Sequence, residues 1–263
     1  MIKTVLYKDK KIMYRVIGSG KPVMLVHGFG EDGEIWNNQV QFLKEKVKLI
    51  IPDLPGSGQS EMIEDMSMEG MAEVLHSIIH EEKIERCTVI GHSMGGYILL
   101  ALAEKYWNHL DAFGLFHSSA YADSEEKKTV RKKGIAFIHE HGAFEFLKTT
   151  TPNLFSQQTK DERPELIHKL ISSLNNFSAD ALVSYYEAMM KRPDRTNILQ
   201  KAFVPVLFIM GKYDNAVPLK DSLEECHLPE KSYIHILHQS GHMGMLEETE
   251  KSNRILEEFL LET

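Results

Sequence analysis

Residues 90–96 read Ile90-Gly91-His92-Ser93-Met94-Gly95-Gly96, and they follow directly on Cys87-Thr88-Val89. A short buried run of this kind fits a strand covered on both faces. The stretch Gly95–Trp107 that comes next has helical spacing. Serine with glycine two places before and two places after it, at a strand-to-helix junction, matches G-x-S-x-G, a sharp turn that holds a hydroxyl where a base can reach it. Side chains at positions 91 and 95 would collide in so tight a turn, which is why both are glycine. The rival reading is a plain glycine-rich connection, and the apolar strand before and the amphipathic helix after weigh against it.

Working outward, the same alternation recurs. Thr4–Tyr7 and Ile12–Ile17 flank Lys8-Asp9-Lys10-Lys11, a hairpin turn. Buried strand runs follow at Val23–Val26, Val47–Ile51, Cys87–Ile90, Ala112–Phe116, Val204–Met210 and Tyr233–Leu237. Helical spacing marks Ile35–Lys46, with Trp36, Val40 and Leu43 on one side, and Met68–Glu82. Strand, helix, strand in repetition implies crossovers and a mostly parallel sheet with helices on both faces, an α/β fold. The rhythm breaks between about Tyr121 and Gln200. That segment holds no convincing strand and four expected helices, near Ser124–His139, Ala143–Thr150, Pro164–Asn175 and Ala179–Lys191. The reading is a core of residues 1–120 and 201–263, with residues 121–200 inserted as a helical lid over the sheet edge.

Three further segments lie just past strand runs, at the carboxyl edge where open parallel sheets place their ligands. Val26-His27-Gly28-Phe29-Gly30 can bring backbone amides to a developing negative charge, and the amides of Phe29 and Met94 are the candidate oxyanion hole. His27 reads as structural. Gly211-Lys212-Tyr213-Asp214 carries a carboxylate that could equally be a turn residue, and Gly241-His242 carries one histidine out of 13. Yet Ser93, Asp214 and His242 follow one another in the Ser…Asp…His order expected of this sheet type. Imidazole can take the serine proton, and a carboxylate can hold it in the needed tautomer. Gly28, His92 and Met243, beside these groups, are expected to contact substrate. Asp53 is expected to shape a nearby loop. Tyr185, Tyr186 and Phe137 are candidates to face substrate from the lid, and Met94, Met189, Met190, Met243 and Met245 are candidates for an adaptable apolar pocket, with ordinary packing an equal alternative.

Composition narrows the field. The chain has 263 residues, 43% hydrophobic and 26% charged, an ordinary globular mix. Thirty basic residues against 38 acidic ones leave a net charge of −8, which argues against a nucleic-acid partner. Lys127, Lys128, Arg131, Lys132 and Lys133 form the densest basic run and read as a solvated helix face. No apolar stretch approaches the ~20 residues of a membrane span. The first residues lack an apolar signal core, and Cys87 and Cys226 read as reduced thiols, so a cytoplasmic location is expected. No C-x-x-C, H-E-x-x-H or phosphate loop is present, and Gly28-Phe29-Gly30 is only a fragment of a dinucleotide motif; no metal or cofactor is expected. The expected partner is a small-molecule substrate, with monomer and homodimer both open.

HGFG at 27–30, PDLPGSGQS at 52–60, GHSMGG at 91–96, GKYD at 211–214 and GH at 241–242 together resemble the α/β-hydrolase superfamily along essentially the whole chain. The resemblance implies an eight-stranded, mostly parallel sheet with an inserted helical cap. It also implies Ser93 as nucleophile, His242 as base, Asp214 as acid and the Phe29 and Met94 amides as oxyanion hole. The lid and the Arg192-Pro193-Asp194-Arg195 lead-in look similar to the esterase, enol-lactonase and haloperoxidase-like branch. Epoxide hydrolases and haloalkane dehalogenases carry Asp at the nucleophile, and proline iminopeptidases carry GGSWGS; neither pattern occurs here. An acid after the preceding strand would fall near Ser118-Ser119, where there is no carboxylate. The implied activity is hydrolysis of a small ester, lactone or thioester through an acyl-enzyme. Carbon–carbon bond hydrolysis, a lyase step or a slow-turnover ligand receptor on the same fold are its alternatives.

Overall fold

The computed structural model describes all residues, Met1–Thr263. Its eight strands are β1 Ile2–Tyr7, β2 Lys10–Ile17, β3 Pro22–Val26, β4 Lys48–Pro52, β5 Cys87–His92, β6 Leu110–Phe116, β7 Val206–Gly211 and β8 Ser232–Leu237. They form one sheet in the order β1-β2-β4-β3-β5-β6-β7-β8. Pairing is antiparallel for β1 with β2 and β2 with β4, and parallel from β4 to β8. The hairpin turn is shorter than the sequence implied: Lys10 and Lys11 already belong to β2, and Lys8 and Asp9 alone turn the chain, both at positive φ.

The core helices are α1 Asn37–Leu43, α2 Met68–Glu81, α3 Met94–Tyr106, α10 Leu219–Glu225, α11 Gly244–Glu247 and α12 Thr249–Glu262. Between β6 and β7 lie α4 Glu125–His141, α5 Ala143–Thr150, α6 Gln157–Glu162, α7 Pro164–Ser173, α8 Ala179–Lys191 and α9 Thr196–Gln200. The four expected helices of this segment are present. The short α6 and α9 were not anticipated, because five or six residues carry too little periodicity to read.

Continuous apolar runs become intelligible once both sheet faces are covered. In β3, Met24 and Val26 pack into one core and Val23 and Leu25 into the other; in β7, Val206, Phe208 and Met210 divide the same way from Leu207 and Ile209. α2 and α3 cover the first face, and α1 and α12 the second. No helix is long and apolar enough to cross a membrane.

The basic run on α4 is not uniform. Lys128 pairs with Glu125 on its own helix, whereas Arg131 turns inward to the fully buried Asp123, which Arg192 also contacts. Arg131 is therefore a packing residue and not part of a solvated face.

Leu99, on α3, has no exposed surface. Leu99→Ala is expected to destabilise the fold by about 2–5 kcal/mol. The readout is a lower urea midpoint at constant m-value; an unchanged midpoint contradicts the packing described.

Candidate functional site

β5 delivers the chain into α3 through Ser93, whose backbone sits at φ 50°, ψ −117°. Non-glycine residues rarely adopt positive φ, and it persists here because the neighbours enforce it. A Cβ on Gly91 would lie 2.5 Å from the Gly95 backbone carbon, and one on Gly95 would lie 2.6 Å from the carbonyl oxygens of Val26 and His27. Both glycines are thus required, as the sequence implied. Ser93 is half-buried, in contrast to its buried neighbours His92 and Met94.

His242 brings Nε2 to 2.8 Å from Ser93 Oγ, and its Nδ1 lies 2.8 Å from Asp214 Oδ2. Asp214 Oδ1 accepts from the Ala216 and Val217 amides at 2.8 Å. A further partner, unforeseen from sequence, is His117, at the end of β6. Its Nε2 accepts from the Gly244 amide at 3.1 Å, so its ring proton is on Nδ1 and is donated to Asp214 Oδ2 at 3.1 Å. Burial would raise the Asp214 pKa, but His242 and His117 more than offset it and hold this carboxyl far below the usual carboxylate range. For His242, burial pulls the pKa down and Asp214 pulls it up; the net result lies above the ordinary 6.5. Asp214, His117 and His242 also have ligand-like spacing, all within 4.8 Å. Both imidazoles instead direct Nδ1 at Asp214 Oδ2 in hydrogen bonds.

The loop after β3 closes against the elbow. A Cβ on Gly28 would lie 3.2 Å from Ser93 Cβ, so glycine is what permits the approach. The Phe29 amide donates to no protein atom, and Met94 is the first residue of α3, where an amide has no intrahelical acceptor. Both are free to bind an oxyanion. His27 has its two ring nitrogens engaged by the Gly28 carbonyl and the Leu54 amide, a structural role. Asp53 accepts from the Gly33 and Gln59 amides and shapes its loop as expected.

Two expectations need correction, and one open alternative is resolved. His92 does not contact substrate: it is 1% exposed, with Nδ1 2.9 Å from Glu31 Oε2 and Nε2 3.0 Å from the His242 carbonyl. Gly28 offers substrate no amide, since its N–H donates to Glu31 Oε2 at 2.7 Å. Of the methionines, Met94, Met189 and Met245 are buried packing residues, and only Met243 lines a cavity next to the Phe29 loop.

That cavity holds about 90 Å³ and is walled by Phe29, Gly30, Glu31, Leu147, Tyr186 and Met243, among others. Tyr186 stacks on Phe29 at 4.4 Å, as a candidate lid residue should. Tyr185 instead donates its hydroxyl to the Pro55 carbonyl at 2.5 Å and is fully buried, while Phe137 packs on His141 and Phe146. Glu247 was also missed. Its Oε1 accepts from the Gly241 and Met243 amides, and its Oε2 from the Ser156 amide and the Thr159 hydroxyl. It therefore locks the His242 loop to the start of α6, and the His242 amide adds a 2.6 Å bond to the Leu154 carbonyl.

A family model described as the alpha/beta hydrolase fold matches residues 21–123. An uncharacterized Mycobacterium tuberculosis protein is 34% identical over 94 residues, 35% of this chain; the chain spans only 28% of that protein's length. A 3-oxoadipate enol-lactonase from Acinetobacter baylyi is 24% identical over 90% of this chain and 88% of its own. A 2-hydroxy-6-oxononadienedioate/2-hydroxy-6-oxononatrienedioate hydrolase from Paraburkholderia phymatum is 26% identical over 96% and 91%. The structure of a thermophilic esterase from Thermogutta terrifontis superposes with TM-score 0.93 at 26% identity, covering 100% of this chain and 98% of that one.

Burial drives the His117 pKa from 6.5 down to about 4 against the opposing pull of Asp214. The unfolded chain gains a proton here below pH 6.5 and the folded protein only near pH 4. Stability from this group therefore falls as pH drops through that window, by about 3 kcal/mol at 1.36 kcal/mol per unit. Glu225 acts oppositely: burial raises its carboxyl from 4.5 to about 8, so its contribution is lost as pH rises toward 8. The two offset each other in the wild type, so the His117 contribution is read as a difference. Asn tolerates the φ of 50° at this position. Wild-type urea stability minus that of His117→Asn is expected to shrink as pH falls from 6.5 to 4; a pH-independent difference contradicts a neutral, buried His117.

Proposed function

We propose that this chain, which has the alpha/beta hydrolase fold, is a serine hydrolase of the α/β-hydrolase superfamily that acts on small carboxylic esters, lactones or thioesters. The observation that carries the reading is the unbroken relay from Asp214 through His242 to Ser93 Oγ, with 2.8 Å at each step. His242 accepts the serine proton as Ser93 Oγ attacks the carbonyl carbon, and Asp214 holds the imidazole and stabilises the imidazolium. The carbonyl oxygen, now an anion, rests on the Phe29 and Met94 amides. His242 returns the proton to the leaving oxygen or sulfur, and water repeats the sequence to release the acid.

Residues 121–200 are assigned as the lid, which reaches the site through Tyr186 on Phe29 and through Leu154, Ser156 and Thr159 on the His242 loop. The 90 Å³ cavity beside Phe29 is far smaller than the ~300–1,000 Å³ of a typical ligand pocket. We assign this cavity, beside the oxyanion loop and Met243, as the acyl site, and its size then favours a short acyl group.

Multiple-turnover hydrolysis of p-nitrophenyl esters of increasing acyl length tests this reading. Turnover is expected to peak at the shortest chains. Ser93→Ala is expected to lower kcat by about 10⁶-fold, the loss seen when a serine protease is deprived of its nucleophile. Equal turnover by Ser93→Ala contradicts the assignment, and a preference for long chains contradicts the short acyl site.

The pH profile gives a second test. His242 acts as base only when neutral, and its pKa lies above 6.5. The acidic limb of kcat/KM is expected above pH 6.5, with activity rising as pH increases. A limb below that value contradicts the coupling of His242 to an ionised Asp214.

A further inference from the structure

His92 lies inside the nucleophile turn, yet its ring faces away from Ser93 and into the protein. The ring is bracketed by Trp36 and Phe116, both edge-on at just over 6 Å. Each ring nitrogen meets an acceptor. Nε2 lies 3.0 Å from the His242 carbonyl, which can only accept, so Nε2 carries a proton. Nδ1 lies 2.9 Å from Glu31 Oε2, so one proton must also sit between these two atoms. The Gly28 amide donates to the same carboxylate oxygen at 2.7 Å. An amide aimed at that oxygen favours the ionised carboxylate, which leaves the shared proton on the imidazole. His92 is 1% and Glu31 5% exposed, and charges so deeply buried are stable only when paired.

We propose that Glu31 and His92 form a buried carboxylate–imidazolium pair that acts as a positioning device for the Ser93 chemistry. The pair joins the three loops that must stay in register. Glu31 holds the oxyanion loop through Gly28. His92 belongs to the Ser93 turn. The same imidazole holds the backbone of His242. The pair touches neither the nucleophile nor the oxyanion; it sets the distance between them. Burial by itself would raise the Glu31 carboxyl, but His92 and the Gly28 amide hold it below its ordinary value. The other titratable groups facing the pair are His242 and His117, whose rings lie 5.0 and 6.1 Å from that of His92, and His27 beside Glu31.

The test has two arms. The first is ¹⁵N NMR of ring-labelled histidine in the intact protein at neutral pH, which requires no substrate. His92 is expected to show two protonated ring nitrogens in the wild type. Glu31→Gln keeps the shape and, with its amide oxygen in the place of Oε2, the Gly28 hydrogen bond, but it carries no charge to hold a second proton on the imidazole; there His92 is expected to show one. A single protonated nitrogen on His92 in the wild type overturns the ion pair.

The second arm is kinetic and rests on the serine-hydrolase reading. With Ser93→Ala run in parallel as the blank, Glu31→Ala is expected to lower kcat by about tenfold to a hundredfold, the scale of a small misplacement of reacting groups, with KM little changed. Glu31→Gln is expected to restore part of the loss, because it restores the shape and the Gly28 hydrogen bond. Should Glu31→Ala fail to fold, Glu31→Gln and the NMR arm still decide the proposal. An unchanged kcat in folded Glu31→Ala overturns the positioning role. Wild-type turnover that persists in Ser93→Ala overturns the hydrolase reading instead, and leaves the NMR result standing on its own.

Discussion

The site depends on one constrained turn. Ser93 can hold φ 50° only because Gly91 and Gly95 let β5, α3 and the end of β3 approach to distances at which any Cβ would overlap backbone. That closeness does several things at once. It points Oγ out of the sheet edge, places the Met94 amide at the start of a helix, and presses the Gly28–Phe29 loop against the serine. The strain of about 1–3 kcal/mol per such residue is offset by the packing of β5 and α3, whose residues are nearly all buried.

Around that turn, buried polar groups act as struts. Asp214 accepts four hydrogen bonds, Glu247 four and Glu31 two, and each carboxylate ties together segments distant in the chain. A buried carboxylate left unpaired would be costly, so every one of these networks resists partial opening. Glu247 spans from the His242 loop to the first turn of α6. Motion of that part of the helical segment therefore cannot be independent of His242.

The fold was legible because its signals are redundant. Six short apolar runs alternating with amphipathic stretches leave few arrangements other than a parallel sheet, and the chain order Ser93, Asp214, His242 fits the carboxyl edge of that sheet. His117, Glu31 and Glu247 were not legible. Each is a polar residue in an unexceptional context, and its importance comes from partners 97, 61 and 91 positions away. His92 was misread for a related reason: adjacency to Ser93 in sequence suggested adjacency to substrate, but a turn this sharp sends neighbouring side chains in opposite directions. Methionines near the serine in sequence went mainly to the core for the same reason.

The central claim is that the relay makes Ser93 a nucleophile. The direct measurement is the rate and site of covalent labelling by an aryl fluorophosphonate, followed by intact-protein mass and peptide mapping, in wild type and in His242→Ala. A single adduct on the peptide containing Ser93, formed far more slowly when His242 is removed, is the result predicted. No adduct, an adduct at another residue, or a rate indifferent to His242 would contradict it.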